Sequence, residues 1–128
     1  MKSFFVTLFT VLGGIFGCTS ATDGFESINP DEFEQVIADS TVIRLDVRTA
    51  EEYADGHIAG TINIDVMGND FEQKALAMLD KERTIALYCR SGRRSKRAAR
   101  ILVDNGFRVV ELSKGFNSWA DAGKPIEK

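Results

Sequence analysis

One cysteine in this chain has neighbours that suit nucleophilic chemistry. Cys89 directly follows the apolar run Thr84–Tyr88 and precedes the polar segment RSGRR, residues 90–94. The thiolate is the reactive form of cysteine, and arginines, backbone N–H groups and a helix N-terminus all stabilise that anion. The pattern therefore predicts that the Cys89 thiol has a lowered pKa and acts as a nucleophile.

The residues after Cys89 suit the binding of an anion. Gly92 accepts positive φ angles, which a loop that curls around a central sulfur atom needs. Arg90, Arg93 and Arg94 are permanently charged and can donate to oxyanions such as a sulfonate-like group. The alternative is an inert buried cysteine beside a solvated helix start. Because the thiol, the glycine and the arginines occur together, we interpret the segment as a cradle for an anionic sulfur and an anionic substrate.

Strands and helices alternate along the rest of the chain. Short β-branched or apolar runs predict strands at Thr41–Val47, Ile62–Ile64, Thr84–Tyr88 and Arg108–Leu112. Capping residues and apolar stripes predict helices that begin after the N-caps Asn29 and Thr49, and at Phe71, Ser95 and Lys114. This alternation predicts an α/β fold with a mainly parallel central sheet and helices on both faces.

The predicted fold places Cys89 at a ligand-binding edge. The chain leaves a parallel strand at its carboxyl end, and small molecules bind at that edge of such sheets. Asp46 and Arg48 bracket the end of the first predicted strand. We expect these two residues to support the site through structural hydrogen bonds or an ion pair with Glu51 or Glu52. A carboxylate that orients an arginine of the loop is the alternative.

Three separated segments resemble one family. CRSGRRS, residues 89–95, resembles the active-site loop of the rhodaneses, usually written C-R-x-G-x-R followed by a small hydroxyl residue. Leu45–Ile64 is similar to the family's L-D-V-R…G-H-I-x-G…N-I signature, and Leu112–Gly115 with Trp119 to its L-x-G-G…W ending. Ala59 stands where proline is usual and Lys114 where glycine is usual, which affects local backbone shape only. The resemblance covers Ile28–Ile126.

The resemblance implies a sulfurtransferase. The Cys89 thiolate would attack the sulfane sulfur of a donor such as thiosulfate, release sulfite, and pass the sulfur from a persulfide to a thiol or cyanide. Arg90 and Arg94 would steer the anionic donor. The backbone N–H groups that would hold the persulfide are those of Arg90, Ser91, Gly92, Arg93 and Arg94. Neither a metal nor an organic cofactor is implied.

The same sequence features are compatible with other functions. A rhodanese-like module that binds sulfur or delivers it to one protein partner, with little steady-state turnover, would carry the same loop. Phosphatases that share this fold use a longer C-x5-R loop, whereas Cys89 and Arg94 form C-x4-R, which fits a sulfur better than a phosphate. His57, the only histidine, suggests Cys–His catalysis. It lies in a segment that resembles the family's scaffold, so we assign it no catalytic role.

Size and charge narrow the class of protein and its partners. The chain has 128 residues, 44% of them hydrophobic, which is enough for one α/β core and too few for two. The net charge is -3, although six of the 16 Lys and Arg residues lie between Arg90 and Arg100. That stretch lacks interleaved aromatic residues, so we expect no nucleic-acid partner. We expect a monomer whose partners are a small anionic sulfur donor and a thiol acceptor.

The N-terminus has the pattern of an export signal. Phe4–Gly17 is an uncharged run of 14 residues, too short to span ~30 Å of hydrocarbon and typical of a signal-peptide core. It ends in Ile15-Phe16-Gly17-Cys18, which resembles the bacterial lipoprotein signal and makes Cys18 the lipidation candidate. We predict a signal peptide at residues 1–18, a flexible tether at 19–27 and the rhodanese-like domain at 28–128.

The export signal predicts a place in the bacterial cell envelope. A lipid on Cys18 would anchor the domain in the periplasm or at the outer membrane. The alternatives are simple secretion to the periplasm after cleavage near Ala21, an uncleaved anchor, and a disulfide between Cys18 and Cys89 in an oxidising compartment.

Overall fold

The computed structural model describes residues 24–128. The predicted signal peptide with Cys18, and residues 19–23 of the predicted tether, lie outside the described residues. Of the described helices, none is long and apolar enough to cross a membrane.

Five strands and five helices alternate through residues 24–128. The strands are β1 (Glu26–Ile28), β2 (Ile43–Asp46), β3 (Thr61–Asn63), β4 (Ile85–Tyr88) and β5 (Val109–Leu112). The helices are α1 (Pro30–Ile37), α2 (Ala50–Asp55), α3 (Phe71–Met78), α4 (Arg93–Asp104) and α5 (Gly115–Asp121). The strands form one sheet in the order β1-β5-β4-β2-β3. Every pairing in it is parallel, as the alternation predicted.

Helices cover both faces of the sheet, which buries its central strand completely. Successive residues of a strand point to opposite faces, and all four residues of β4 are buried. Ile85 and Leu87 pack into a core cluster with α3 and α4. Ala86 and Tyr88 pack into a second cluster with α1 and α5. The predicted α/β fold with helices on both faces is confirmed.

Capping side chains fix where the first two helices begin. Asn29 Oδ1 accepts a hydrogen bond from Glu32 N at 2.9 Å, and Glu32 Oε1 accepts one from Asn29 N at 3.2 Å. Thr49 and Glu52 form the same reciprocal arrangement at the start of α2. Each box satisfies backbone donors that the first turn of a helix leaves unpaired. Both predicted N-caps are therefore confirmed.

The domain begins earlier in the chain than residue 28. Glu26 and Ser27, which the sequence assigns to the tether, lie in β1. They pair there with Val110 and Glu111 of β5. Phe25 is also buried in the core. The prediction of a tether through residue 27 is wrong, because a short edge strand with mostly exposed residues carries no apolar periodicity. Helix α4 likewise begins at Arg93, two residues before the predicted Ser95.

Candidate active site

Cys89 lies where the central strand ends, and its side chain is 0% exposed. The start of α5 holds the backbone that follows it, since Phe116 N donates to Cys89 O at 2.8 Å and Asn117 N to Arg90 O at 3.0 Å. Gly115 permits this close contact, because a Cβ there would lie 2.5 Å from the Arg90 carbonyl. Strand β4 and helix α5 thus fix the loop from both sides.

Gly92 lets the loop curl around the sulfur, as the sequence predicted. Its φ angle is 104°, and a Cβ at this position would lie 2.0 Å from the Ser113 carbonyl oxygen. Only glycine fits both the backbone conformation and this contact. The Gly92 N–H donates to Cys89 Sγ at 3.1 Å. The loop therefore directs a backbone donor at the sulfur.

Hydrogen bonds lower the pKa of the Cys89 thiol against the effect of burial. Burial alone raises this pKa, because it disfavours the anion. The Ser95 hydroxyl and the backbone N–H groups of Ser95, Gly92 and Ser91 lower it, and together they outweigh burial. This balance agrees with the predicted activated thiol. The thiol has no exposed surface, however, although the sequence predicts that it lies at an edge of the sheet where small molecules bind.

A buried polar network behind Cys89 was not predicted. Cys89 Sγ lies 3.5 Å from Ser95 Oγ, and the Ser95 hydroxyl donates to Glu111 Oε2 at 2.5 Å. The Ser27 hydroxyl donates to the other Glu111 oxygen at 2.6 Å. Lys96 Nζ donates to Glu111 Oε2 at 3.1 Å. The one sign of this network in the sequence is Glu111, a charged residue within the otherwise apolar strand β5.

Lys96 also ties the loop to the neighbouring strand. Its Nζ donates to Gly92 O and to Ser113 O, each at 3.0 Å. Its ammonium group therefore has three acceptors, on the loop, on Glu111 and after β5.

The arginines of the loop differ in their surroundings. Arg94 forms a two-pronged pair with Glu52, with N–O distances of 2.8 and 2.9 Å. This pair lowers the pKa of the Glu52 carboxyl to about 2 and raises the pKa of Arg94. Arg94 also interacts electrostatically with Cys89. Arg90, Ser91 and Arg93 are exposed. Arg94, which would have to close a phosphate cradle, is thus already engaged by a carboxylate.

Asp46 and Arg48 pair with each other rather than with Glu51 or Glu52. Arg48 Nη2 donates to Asp46 Oδ2 and to Gly56 O, each at 2.7 Å, and both side chains are buried. The Arg48 guanidinium stacks over the Phe116 ring at 4.3 Å. Since Phe116 also binds the Cys89 carbonyl, this ion pair supports the loop through α5. Arg48 therefore makes its structural hydrogen bonds with Asp46 and Gly56, and not with Glu51 or Glu52.

His57 contacts the scaffold. Its Nδ1 lies 2.8 Å from Tyr53 O, and its ring stacks on the Tyr53 ring at 3.8 Å. Its Nε2 lies 3.6 Å from a Glu127 oxygen. Within residues 24–128, no three His, Cys, Asp or Glu side chains are grouped so that they could hold a metal ion.

The sequence of this chain matches a known protein family. The family model of the rhodanese-like domain matches residues 29–122. The chain belongs to the rhodanese-like family. The three segments that resembled rhodaneses, including the cysteine loop, all lie within this match.

Relatives of this rhodanese-like protein are named as sulfurtransferases. A protein of Allochromatium vinosum named sulfurtransferase is 33% identical over 101 residues, which cover 77% of this chain and 92% of that protein. The thiosulfate sulfurtransferase PspE of Escherichia coli is 38% identical over 76 residues, covering 59% of this chain and 72% of PspE. A solved rhodanese-related protein of Thermoplasma volcanium has a TM-score of 0.71 and 29% identity, with 80% of this chain and 98% of that one covered.

Proposed function

We propose that this rhodanese-like protein is a thiosulfate-type sulfurtransferase that carries sulfane sulfur on Cys89. The observation that carries the proposal is the loop around the sulfur. Gly92 N–H points at Sγ, and hydrogen bonds lower the pKa of the Cys89 thiol despite complete burial. A buried cysteine without such donors would have a raised pKa and would be inert. Relatives with sulfurtransferase names support the same chemistry.

The transfer needs two displacement steps at sulfur. In the first, the Cys89 thiolate attacks the outer sulfur of thiosulfate, a new S–S bond forms, and sulfite leaves with the electron pair of the broken S–S bond. In the second, a thiolate or cyanide attacks the outer sulfur of the persulfide, and the Cys89 thiolate leaves. Splitting the transfer in this way is covalent catalysis and predicts ping-pong kinetics.

Loading requires the residues around Cys89 to move. Cys89 has no exposed surface, so a donor sulfur cannot reach Sγ while its surroundings keep their described positions. Of the two arginines that we expect to steer an anionic donor, Arg90 is exposed, whereas Arg94 is paired with Glu52. Exposed Arg93 adds a further positive charge beside Arg90. In the loaded state, the backbone N–H groups of residues 90–94 would surround the outer sulfur.

A sulfur-delivery module with little steady-state turnover is the second candidate. The burial of Cys89 favours it, because a covered thiol exchanges slowly with small molecules in solution. A protein partner could displace the loop and receive the sulfur directly. The two candidates share the persulfide and differ in how quickly it is discharged to small acceptors.

Mass measurement of the protein after incubation with thiosulfate tests the proposal. We expect the mass of one sulfur atom to be added on Cys89, removed again by cyanide, and absent in Cys89→Ser. Sustained production of thiocyanate identifies an enzyme, whereas one loading without turnover identifies a delivery module. If the wild-type protein gains no sulfur on Cys89, both candidates are wrong. Turnover of an aryl phosphate that depends on Cys89 would identify a phosphatase instead.

We further propose that the protein acts as a monomer in the bacterial cell envelope. The support for this location is the sequence pattern before the described residues, which ends at the lipidation candidate Cys18. Lipid contributes about 0.8 kcal/mol of membrane binding for each buried CH₂ group, so more than one acyl chain would hold the domain firmly on a membrane.

A further inference from the structure

Glu111 is a buried carboxylate that neither transfer step uses. It lies on β5 and is 0% exposed, although burying a charge is strongly unfavourable unless the charge is paired and hydrogen-bonded. Three side chains meet this need: the Ser27 and Ser95 hydroxyls and the Lys96 ammonium group. Of these, Ser95 also contacts the Cys89 sulfur.

The Ser95 hydroxyl has one proton and two neighbours that can accept it. A hydroxyl group donates a single hydrogen bond. In the described geometry the thiol S–H donates to Ser95 Oγ, and the Ser95 hydroxyl donates to Glu111 Oε2. Once Cys89 ionises, the sulfur has no proton and becomes an acceptor. The thiolate and Glu111 then compete to accept the one hydrogen bond that the Ser95 hydroxyl can donate.

The persulfide does not take part in this competition. Its Sγ is bonded to the outer sulfur, and the negative charge lies mainly on that outer atom. Ser95 can therefore keep its hydrogen bond to Glu111 while Cys89 carries sulfur, as it does while Cys89 is a thiol. Of the three forms of Cys89, the thiolate is the one that Glu111 disfavours.

We propose that Glu111 is a positioning residue: it accepts the hydrogen bond that the Ser95 hydroxyl could otherwise donate to the Cys89 thiolate. Glu111 thereby prolongs the sulfur-loaded state. The inference rests on the proposed function, because it concerns the rate at which Cys89 gives up its sulfur. Discharge expels the Cys89 thiolate, and a less stable thiolate is a poorer leaving group. Glu111 thus makes Cys89 a carrier that holds sulfur until a strong acceptor arrives.

The other charged groups around this thiol act in the opposite direction. Arg94, on α4, attracts the Cys89 thiolate. Lys96, also on α4, binds Glu111 at 3.1 Å and partly neutralises its charge. Ser27 and Lys96 keep Glu111 hydrogen-bonded when Ser95 turns to the sulfur. Ionisation of Cys89 is therefore possible, and Glu111 sets how favourable it is.

Titration of the Cys89 thiol in Glu111→Gln tests the proposal directly. The ultraviolet absorbance of the thiolate is followed against pH, and the curve of the same protein carrying Cys89→Ser is subtracted. We expect the pKa of Cys89 to fall by about 1, since removing a like charge favours the anion. We expect discharge of the persulfide to a small thiol to become about threefold faster. Glu26→Gln makes the same chemical change on an exposed residue of β1 and should alter neither quantity.

Ser95→Ala distinguishes two explanations for an effect of Glu111 on the pKa of Cys89. One is competition for the Ser95 hydrogen bond, and the other is direct charge repulsion between Glu111 and the thiolate. Without the hydroxyl the thiolate loses a donor, so the pKa of Cys89 should rise, opposite in sign to the effect of Glu111→Gln. In the double variant, Glu111→Gln should lower this pKa less than it does alone. An unchanged or raised pKa in Glu111→Gln, or a full effect in the double variant, overturns the proposal.

The test remains decisive under two complications. If Glu111→Gln does not fold, as judged by circular dichroism, Ser95→Ala can still overturn the proposal, because an unchanged pKa of Cys89 shows that the thiolate accepts no hydrogen bond from Ser95. The titration needs no sulfur donor. Failure of the wild-type protein to load sulfur therefore refutes the proposed function. The titration measures the pKa of Cys89 and so tests separately whether Glu111 competes for the Ser95 hydrogen bond.

Discussion

At the scale of single residues, the Cys89 thiol is governed by opposing effects. Burial disfavours its anion, whereas hydrogen bonds from Ser95, Gly92 and Ser91 favour it, and the hydrogen bonds prevail. The sequence predicted this direction from the arginines, the backbone N–H groups and the N-terminus of the following helix. It did not show that the Ser95 hydroxyl is the largest of the favourable contributions.

The pH dependence of sulfur loading follows from the lowered pKa of Cys89. The thiolate is the reacting form, so the loading rate should rise with pH and level off above the pKa of the thiol. We expect the midpoint to lie below the value of about 8.5 that is ordinary for cysteine. Single-turnover loading at a series of pH values measures it. A midpoint at or above the ordinary value would contradict the activated thiol.

The pair of Glu52 and Arg94 predicts an acid-sensitive contribution to stability. Because the folded protein holds the pKa of Glu52 near 2 instead of 4.5, the unfolded chain binds more protons between these values. The stabilisation is complete above pH 4.5 and is lost as the pH falls towards 2. In Glu52→Gln, the loss of stability over this range should be smaller, as measured by denaturant unfolding.

Glu51→Gln is the matched control for this experiment. Glu51 is the exposed neighbour of Glu52 on α2, and the same substitution there removes a carboxylate without breaking the pair with Arg94. We expect the acid dependence of Glu51→Gln to follow the wild type. Equal flattening in both variants would mean that general charge, and not the ion pair, sets the acid dependence.

At the scale of elements, the loop between β4 and α4 depends on close backbone contacts. The motif after Cys89 predicted a curled loop, and the φ angle of Gly92 confirms it. What holds the curl was not predictable, because Ser113 and Gly115 approach it from distant parts of the sequence. A motif specifies which backbone shapes are allowed, whereas tertiary contacts decide which of them is occupied.

Gly92→Ala should damage this loop more than the backbone conformation alone explains. A side chain at positive φ costs about 1–3 kcal/mol, and the added Cβ would also collide with the Ser113 carbonyl. Gly123→Ala provides the comparison, since Gly123 has a φ angle of 74° and open space around it. We expect Gly92→Ala to lose more stability on thermal unfolding and to load little sulfur. Equal losses in both variants would exclude the collision.

At the scale of the whole molecule, sequence patterns were informative where the structure is locally determined. The caps Asn29 and Thr49 and the buried strand before Cys89 were predicted because each depends on neighbours in sequence. Strand β1 and the Glu111 network were missed because both depend on distant pairing. The hydrogen bond between Ser27 and Glu111 joins residues 84 positions apart. The lowered pKa of Cys89 was therefore predictable, but most of the contacts that support its loop were not.

The mass of the mature N-terminus tests the proposed anchoring of the whole protein. Lipoprotein processing predicts a chain that begins at a diacylglycerol-modified Cys18 and partitions with membranes. A Cys18→Ser variant should lose the lipid and appear in the soluble periplasmic fraction or remain unprocessed. An unmodified N-terminus near Thr22 in the wild-type protein would replace anchoring with simple secretion.

The direction of β1 has a consequence for how a partner would approach the cysteine loop. All five strands are parallel, so the chain enters the domain at the edge that holds the amino ends of the strands. Cys89 lies at the opposite edge, after β4. The cysteine loop and the point where the chain enters β1 therefore lie at opposite ends of the strands. A sulfur acceptor that docks on the cysteine loop would meet none of the residues that lead into β1.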